Sequence, residues 1–144
     1  MNQIILYVEK YTNSNKLSKD GITFSDVMII KLLIDGEDIE ENEYFKDGLI
    51  YFDELAESMR TTGNYLIFTC ACGIAEDGGW EGVKVDIADT EVKWTMEVGD
   101  SRLSYTFSRV EYTNEINSVK KILEEKGSLT IEPASVVFPD GFKR

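Results

Sequence analysis

Histidine is absent from the chain, and cysteine and proline occur only twice each among 144 residues. Without an imidazole there is no Ser-His-Asp or Cys-His nucleophile, no His-ligated metal, and no side chain whose ordinary pKa lies near neutrality. Basic residues are scarce as well: 15 Lys and Arg face 27 Asp and Glu, giving a formal net charge of -12. That imbalance disfavours direct binding to nucleic-acid phosphates, where affinity rests on Lys/Arg neutralisation and counterion release. Long apolar runs are also missing. The most apolar stretch, Val27 to Ile34, carries Lys31 and falls far short of the roughly 20 residues that span a bilayer as a helix. Met1-Asn2-Gln3 leads into Ile4-Ile5-Leu6-Tyr7-Val8, interrupted by Glu9 and Lys10, which reads as a strand rather than a signal peptide. The expectation is a cytoplasmic protein with no membrane partner.

What is present is enough for a core: 42% of the residues are hydrophobic and 11% aromatic, at a length typical of one domain. Ile4 to Glu9 alternates like a strand, and the polar Thr12 to Gly21 reads as a surface loop. Ile22 to Ile34 reads as one long strand, with Met28, Ile30, Leu32 and Ile34 on one face, ending at the turn signal Asp35-Gly36. A short strand over Leu49 to Tyr51 precedes a helix whose Phe52, Leu55, Ala56 and Met59 share a face. Tyr65 to Cys72 is apolar on both faces and suits a central strand, followed by a Gly-rich turn from Gly73 to Gly79. Val83 to Ile87, Val92 to Val98 and Leu103 to Phe107 then alternate as a three-strand meander with one dry and one wet face. Asn114 is the expected cap of a second helix, with Ile116, Val119, Ile122 and Leu123 buried and Gly127 as the stop. Beyond Leu129 there is one more possible strand. With no linker or repeat, the reading is a single α+β domain over residues 1–144, a mainly antiparallel sheet with two helices packed on it.

Charge is concentrated. Between Asp35 and Glu57 ten acidic residues oppose the single Lys46, nine of the twelve net negative charges. Such a cluster raises self-repulsion without helping the fold. Asp35, Glu37, Asp38, Glu40, Glu41 and Glu43, with the aromatic Tyr44 and Phe45 beside them, therefore form either a solvated hairpin end or a docking surface for a basic protein. The window fails as a calcium loop: counted from Asp35, the sixth position is Glu40 where glycine is required, and the twelfth is Lys46 where glutamate is required. A second group, Glu76, Asp77, Glu81, Asp86, Asp89 and Glu91 with Lys84 the only basic residue among them, surrounds the turn that carries Trp80, and its first five members with Trp80 are the other candidate partner surface. Cys70 and Cys72, two apart on an expected strand, lie too far along one edge for an easy disulfide and read as buried small hydrophobes. Two thiolates without imidazole fall short of a structural zinc set. No catalytic residue, metal or cofactor is assigned.

The segment Tyr65-Leu66-Ile67-Phe68-Thr69-Cys70-Ala71-Cys72-Gly73, then Gly82-Val83-Lys84-Val85 and Val92-Lys93-Trp94, resembles a group of small bacterial proteins of unassigned biochemistry. In that group an apolar strand ends in F-T-C-x-C-G, followed by a third cysteine, a valine-rich strand and a V-x-W strand. The resemblance spans about residues 25 to 110; Glu76-Asp77 stands where the third cysteine is expected. By size, acidity, α+β pattern and lack of a catalytic set, the chain also resembles immunity proteins of bacterial polymorphic-toxin and contact-dependent growth inhibition systems. That resemblance implies a cytoplasmic, non-enzymatic inhibitor that binds a cognate basic toxin domain, commonly a nuclease. The alternatives are a nucleic-acid mimic inhibiting a DNA-binding enzyme through the same charge, and a small carboxylate-dependent hydrolase.

The ligand count predicts that the purified protein holds zinc well below one equivalent by elemental analysis, and that a chelator leaves its melting temperature unchanged. Stoichiometric zinc with loss of fold on chelation is the contrary result.

Overall fold

The first eight-residue strand, β1 (Ile4–Tyr11), pairs antiparallel with β4 (Val27–Ile34) in full register, Ile4 opposite Ile34 and Tyr11 opposite Val27. The structure, a computed structural model, describes residues 1–74 and 81–144. It is α+β, built on two four-stranded sheets. In one sheet β4 is flanked by β1 and, in parallel, by β12 (Thr130–Ile131), while β5 (Glu37–Asp38) folds back on its end. The other has the order β11 (Ser101–Ser108), β10 (Glu91–Val98), β9 (Val83–Ile87) and β7 (Gly63–Tyr65). Among the described residues two small pairs complete the strands: the hairpin of β2 (Leu17–Lys19) with β3 (Ile22–Phe24), and β6 (Gly48–Ile50) with β8 (Phe68–Cys70). Among the described residues no helix is long and apolar enough to cross a membrane.

The period-2 patterns place side chains as expected. Met28, Ile30, Leu32 and Ile34 join Ile4 and Leu6 in the main core, facing Val83, Val85, Val92, Trp94, Met96, Val98 and Phe107 of the other sheet. The reverse face of β4 contributes Ile29 to a smaller core with Leu49 and Ala71, roofed by Leu17, Ile22 and Phe24 of the β2–β3 pair. Burial on both faces is why β4 reads as a continuous apolar run.

Helix α1 (Phe52–Glu57) starts where expected, with Leu55 buried. Its Glu54 is buried too. That carboxylate accepts from the Leu66 backbone N–H at 3.0 Å and from both terminal nitrogens of Arg144, which also lies over the Tyr65 ring. Helix α2 (Arg109–Glu124) packs on β1 and β11, and its Glu115 accepts from the outward-facing Leu6 N–H at 2.8 Å, closing that edge of β1.

Four sequence expectations need correction. The strand from Ile22 is broken, because Asp26 at φ 56 turns the chain between β3 and β4. The polar stretch from Thr12 is not all loop: Leu17 to Lys19 pairs with β3 across the Asp20-Gly21 turn, where both residues take positive φ as such a tight turn demands. Tyr65 to Cys72 is not one strand; the chain leaves the β9 pairing after Tyr65 and enters the β6 pairing at Phe68, so its two-faced apolarity reflects a switch between sheets. Helix α2 begins five residues before Asn114, capped by the Ser108 hydroxyl, which accepts from the Glu111 N–H. Its buried stripe is accordingly Tyr112, Ile116, Val119 and Leu123, with Ile122 exposed. An aromatic side chain supplied the missing turn of the stripe.

Tyr112 is the centre of the core's polar wiring. Its hydroxyl accepts from Trp94 Nε1 at 3.1 Å and bonds the Ser58 hydroxyl at 2.6 Å, while the Trp94 ring meets Phe68, Phe107 and Tyr112 edge-on. Burial pushes the Tyr112 phenol up to about 12 and the Cys70 thiol up to about 11. Both folded groups hold their protons more tightly than the unfolded chain does. Stability therefore falls as pH rises from about 9 toward 12, the range between the unfolded and folded values. Tyr112→Phe should cost about 1–3 kcal/mol at neutral pH by leaving the indole N–H and Ser58 short of a partner, and it should make the alkaline decline shallower above pH 10. Urea unfolding across this pH series checks both effects; equal slopes in wild type and variant contradict the assignment.

Candidate functional site

The acidic window is pinned to the fold by one internal carboxylate. The Asp35-Gly36 turn, with φ of 54 and 81, reverses the chain from β4 into β5. Asp38 then caps a single 3-10 turn over Ile39–Glu41 by accepting from the Glu40 N–H at 2.9 Å, and Ile39 inserts into the core. This turns the Glu40 side chain inward. Its carboxylate contacts both the Lys19 and the Lys31 ammonium groups. Lys19 also donates to the carbonyls of Lys46 at 3.1 Å and Gly48 at 3.0 Å, which uses all three N–H groups of its ammonium. Lys31 additionally faces Asp38 at 3.6 Å. Side-chain exposure is 8% for Lys19, 13% for Lys31 and 22% for Glu40, so water screens these charges weakly.

Asp35, Glu37, Asp38 and Glu41 line a groove of about 380 Å³ between the β4–β5 turn and β11. Ile34 and Ile39 provide apolar wall, and Asn42 and Tyr105 supply the neutral polar groups. Among the described residues no Lys or Arg lines it. Burial raises the Tyr105 pKa, and the charges of Asp35 and Glu37 push it the same way, so the carboxylate field reaches the phenol. Asp35 is held below the usual carboxylate range by the Gln3 backbone N–H and the Asn2 amide, each at 2.7 Å. Its oxygens thereby tie the start of β1 to the rim of the groove.

Of the expected partner-binding residues in this window, Glu37, Glu41 and Glu43 are exposed, and Asp38 is half-buried at the groove wall. Tyr44 is 48% exposed and lies over Gly99, where a Cβ would meet its hydroxyl, whereas Phe45 is not a surface aromatic but is buried in the main core against Phe68. Glu40 does not belong to the partner surface, since its two oxygens are engaged by the buried Lys19 and the partly buried Lys31. The second acidic group is dispersed. Glu76, Asp77 and Trp80 lie outside the described residues; Asp89 is exposed at the β9–β10 turn; Glu81 and Asp86 lie on the wet face of the meander. There Glu81, Asp86 and Glu97 are matched by Lys84, Lys93 and Arg102, with Asp86 directly opposite Lys93. That face is close to neutral. The two clusters, both read as acidic from composition, are thus distinguished by what lies across the strands.

Sequence reasoning missed Lys19, Lys31 and Tyr105. For Lys31 a signal existed, a lone ammonium inside an apolar run, which demands an internal anion. Nothing in the period of β11 sets Tyr105 beside Asp35, because that proximity depends on how the two sheets meet. The cysteines also sit differently from the expectation: Cys70 ends β8 buried, Cys72 is exposed in the following turn, and their sulfurs are 2.8 Å apart. Among the described residues no group of three or more Cys, Asp or Glu side chains is arranged to hold a metal ion. Comparison with protein-family models, curated proteins and solved structures yields no match to this chain.

Reversing Glu40 to Lys should set a third cation against Lys19 and Lys31 and cost about 3–5 kcal/mol, the usual penalty for breaking a buried pair. Glu37→Lys and Glu41→Lys, on exposed side chains, should stay within about 0.5 kcal/mol of wild type. Equal melting temperatures for the three variants would show that Glu40 is another solvated surface charge.

Proposed function

We propose that this chain is a non-enzymatic inhibitor that binds a basic protein partner through the Asp35–Glu41 groove, in the manner of the immunity proteins it resembles in character. The observation that carries the reading is the groove itself. Four carboxylates, of which only Asp38 has an ammonium nearby (Lys31 at 3.6 Å), converge on one apolar-walled concavity with no Lys or Arg among its described lining residues, while the neighbouring acidic residue that the fold needs, Glu40, is neutralised from within. A field of one sign over a concave surface raises local cation concentration and steers encounter. Apolar walls and two tyrosines give a docked lysine or arginine stem something to pack against. Tyr105 in the groove and Tyr44 at the neighbouring loop supply the aromatic contacts. A cognate toxin domain bearing Lys/Arg at its active site is the partner class this chemistry suits. Glu81, Asp86 and Asp89 are weaker candidates, because the cations of the meander face offset two of them.

The test uses immobilised protein, capture from a lysate of the source cells at low salt, and kinetics with the captured partner. Glu37→Lys with Glu41→Lys should slow association by roughly 10- to 100-fold, the scale of electrostatic steering, and should remove most of its salt dependence. Tyr44→Ala should mainly raise the dissociation rate. A captured partner that binds the double reversal at the wild-type rate in low salt overturns the reading.

A further inference from the structure

Two side chains outside the groove combine reactivity with close approach. Strand β8 ends at Cys70, and the Gly73 N–H donates to the Cys70 carbonyl at 3.0 Å, closing a turn with Ala71 and Cys72 at its corners. Gly73 takes φ 82, which a Cβ would oppose. The turn brings Cys72 back over Cys70: the sulfurs are 2.8 Å apart, and the Cys72 backbone N–H also points at the Cys70 sulfur, at 3.4 Å. One thiol is accessible and the other is not, since Cys72 is exposed and Cys70 is 4% exposed. On the far side of Cys70, the carboxylate of Asp20 in the β2–β3 turn lies 3.8 Å from the sulfur, positioned to accept its proton. The turn is held from the other side as well, by the Val137 N–H donating to the Gly73 carbonyl at 2.7 Å.

We propose that Cys70 and Cys72 form a dithiol site that undergoes thiol–disulfide exchange with small soluble disulfides and closes to an intrachain Cys70–Cys72 disulfide. The steps balance. The Cys72 thiolate attacks one sulfur of the small disulfide, forming a mixed disulfide and releasing one small thiolate. The Cys70 sulfur then attacks the Cys72 sulfur, passing its proton toward Asp20, and the second small thiolate leaves. The protein dithiol loses two electrons and two protons, and the small disulfide becomes two thiols. Burial and the neighbouring Cys72 and Asp20 disfavour a free thiolate at Cys70. This assigns the order of the steps: exposed Cys72 meets the reagent, and Cys70 resolves.

The experiment treats the full-length, reduced, folded protein with oxidised glutathione and follows intact mass and free thiols. Wild type should lose both thiols together, with a mass decrease of two hydrogens and no lasting adduct, and dithiothreitol should restore it. Cys70→Ser should accumulate one glutathionyl group on Cys72. Cys72→Ser should remain unmodified until denatured. Asp20→Asn should leave the first step unchanged and prolong the life of the wild-type mixed disulfide. A stable adduct on Cys72 in wild type, or native-state thiols inert to the reagent, overturns the proposal. So does a metal ion bound one-to-one whose removal is required before any reaction. None of these readouts involves a protein partner, so the groove can fail its test while this site passes, and the converse.

Discussion

The arrangement of the acidic surface depends on one carboxylate held between two ammonium groups, that of the buried Lys19 and that of the partly buried Lys31. Glu40 joins the β2–β3 pair through Lys19 and the central strand β4 through Lys31, and Lys19 extends the link to the carbonyls of Lys46 and Gly48 at the start of β6. Three segments remote in sequence are fixed to each other at this point. The Coulomb energy of such pairs is large only because water is scarce there, and their desolvation consumes much of it. The consequence is more about geometry than net stability. With Glu40 turned in, the 3-10 turn Ile39–Glu41 cannot rotate, and Glu37, Asp38 and Glu41 are presented along one groove instead of averaging over a solvated loop.

Local order in this chain was legible where one physical rule governed a segment. The alternation in β9, β10 and β11, the shared face of Met28, Ile30, Leu32 and Ile34 in β4, the Asp35-Gly36 turn and the first face of α1 follow from side-chain period and turn chemistry alone. Legibility failed where two rules competed. Leu66 and Ile67 are apolar like a strand but serve as a crossover between sheets, and no period distinguishes the two uses. In α2 the competition lay between two capping residues. Ser108 and Asn114 are both good caps, and burial of Tyr112 decided for the earlier one.

The candidate site was legible as composition and not as geometry. Counting charges located the Asp35 to Glu43 window, yet composition treats Glu40 and Glu37 alike. One is an internal counter-ion and the other a free surface charge because a strand of period 2 and a turn of period 3 put their side chains on opposite sides. The same limit applied to the cysteines. A spacing of two residues on a strand separates sulfurs, whereas a turn after the first residue brings them together. In both places the change of backbone conformation within three residues is what creates the chemistry.

The most direct test of the account is amide hydrogen exchange on the protein alone and bound to the partner captured at low salt. The account requires new protection over Asp35 to Asn42 and around Tyr105, with the Lys84, Lys93 and Arg102 face of the meander unchanged. Protection confined to the meander face, with the groove still exchanging at its free rate, would contradict it.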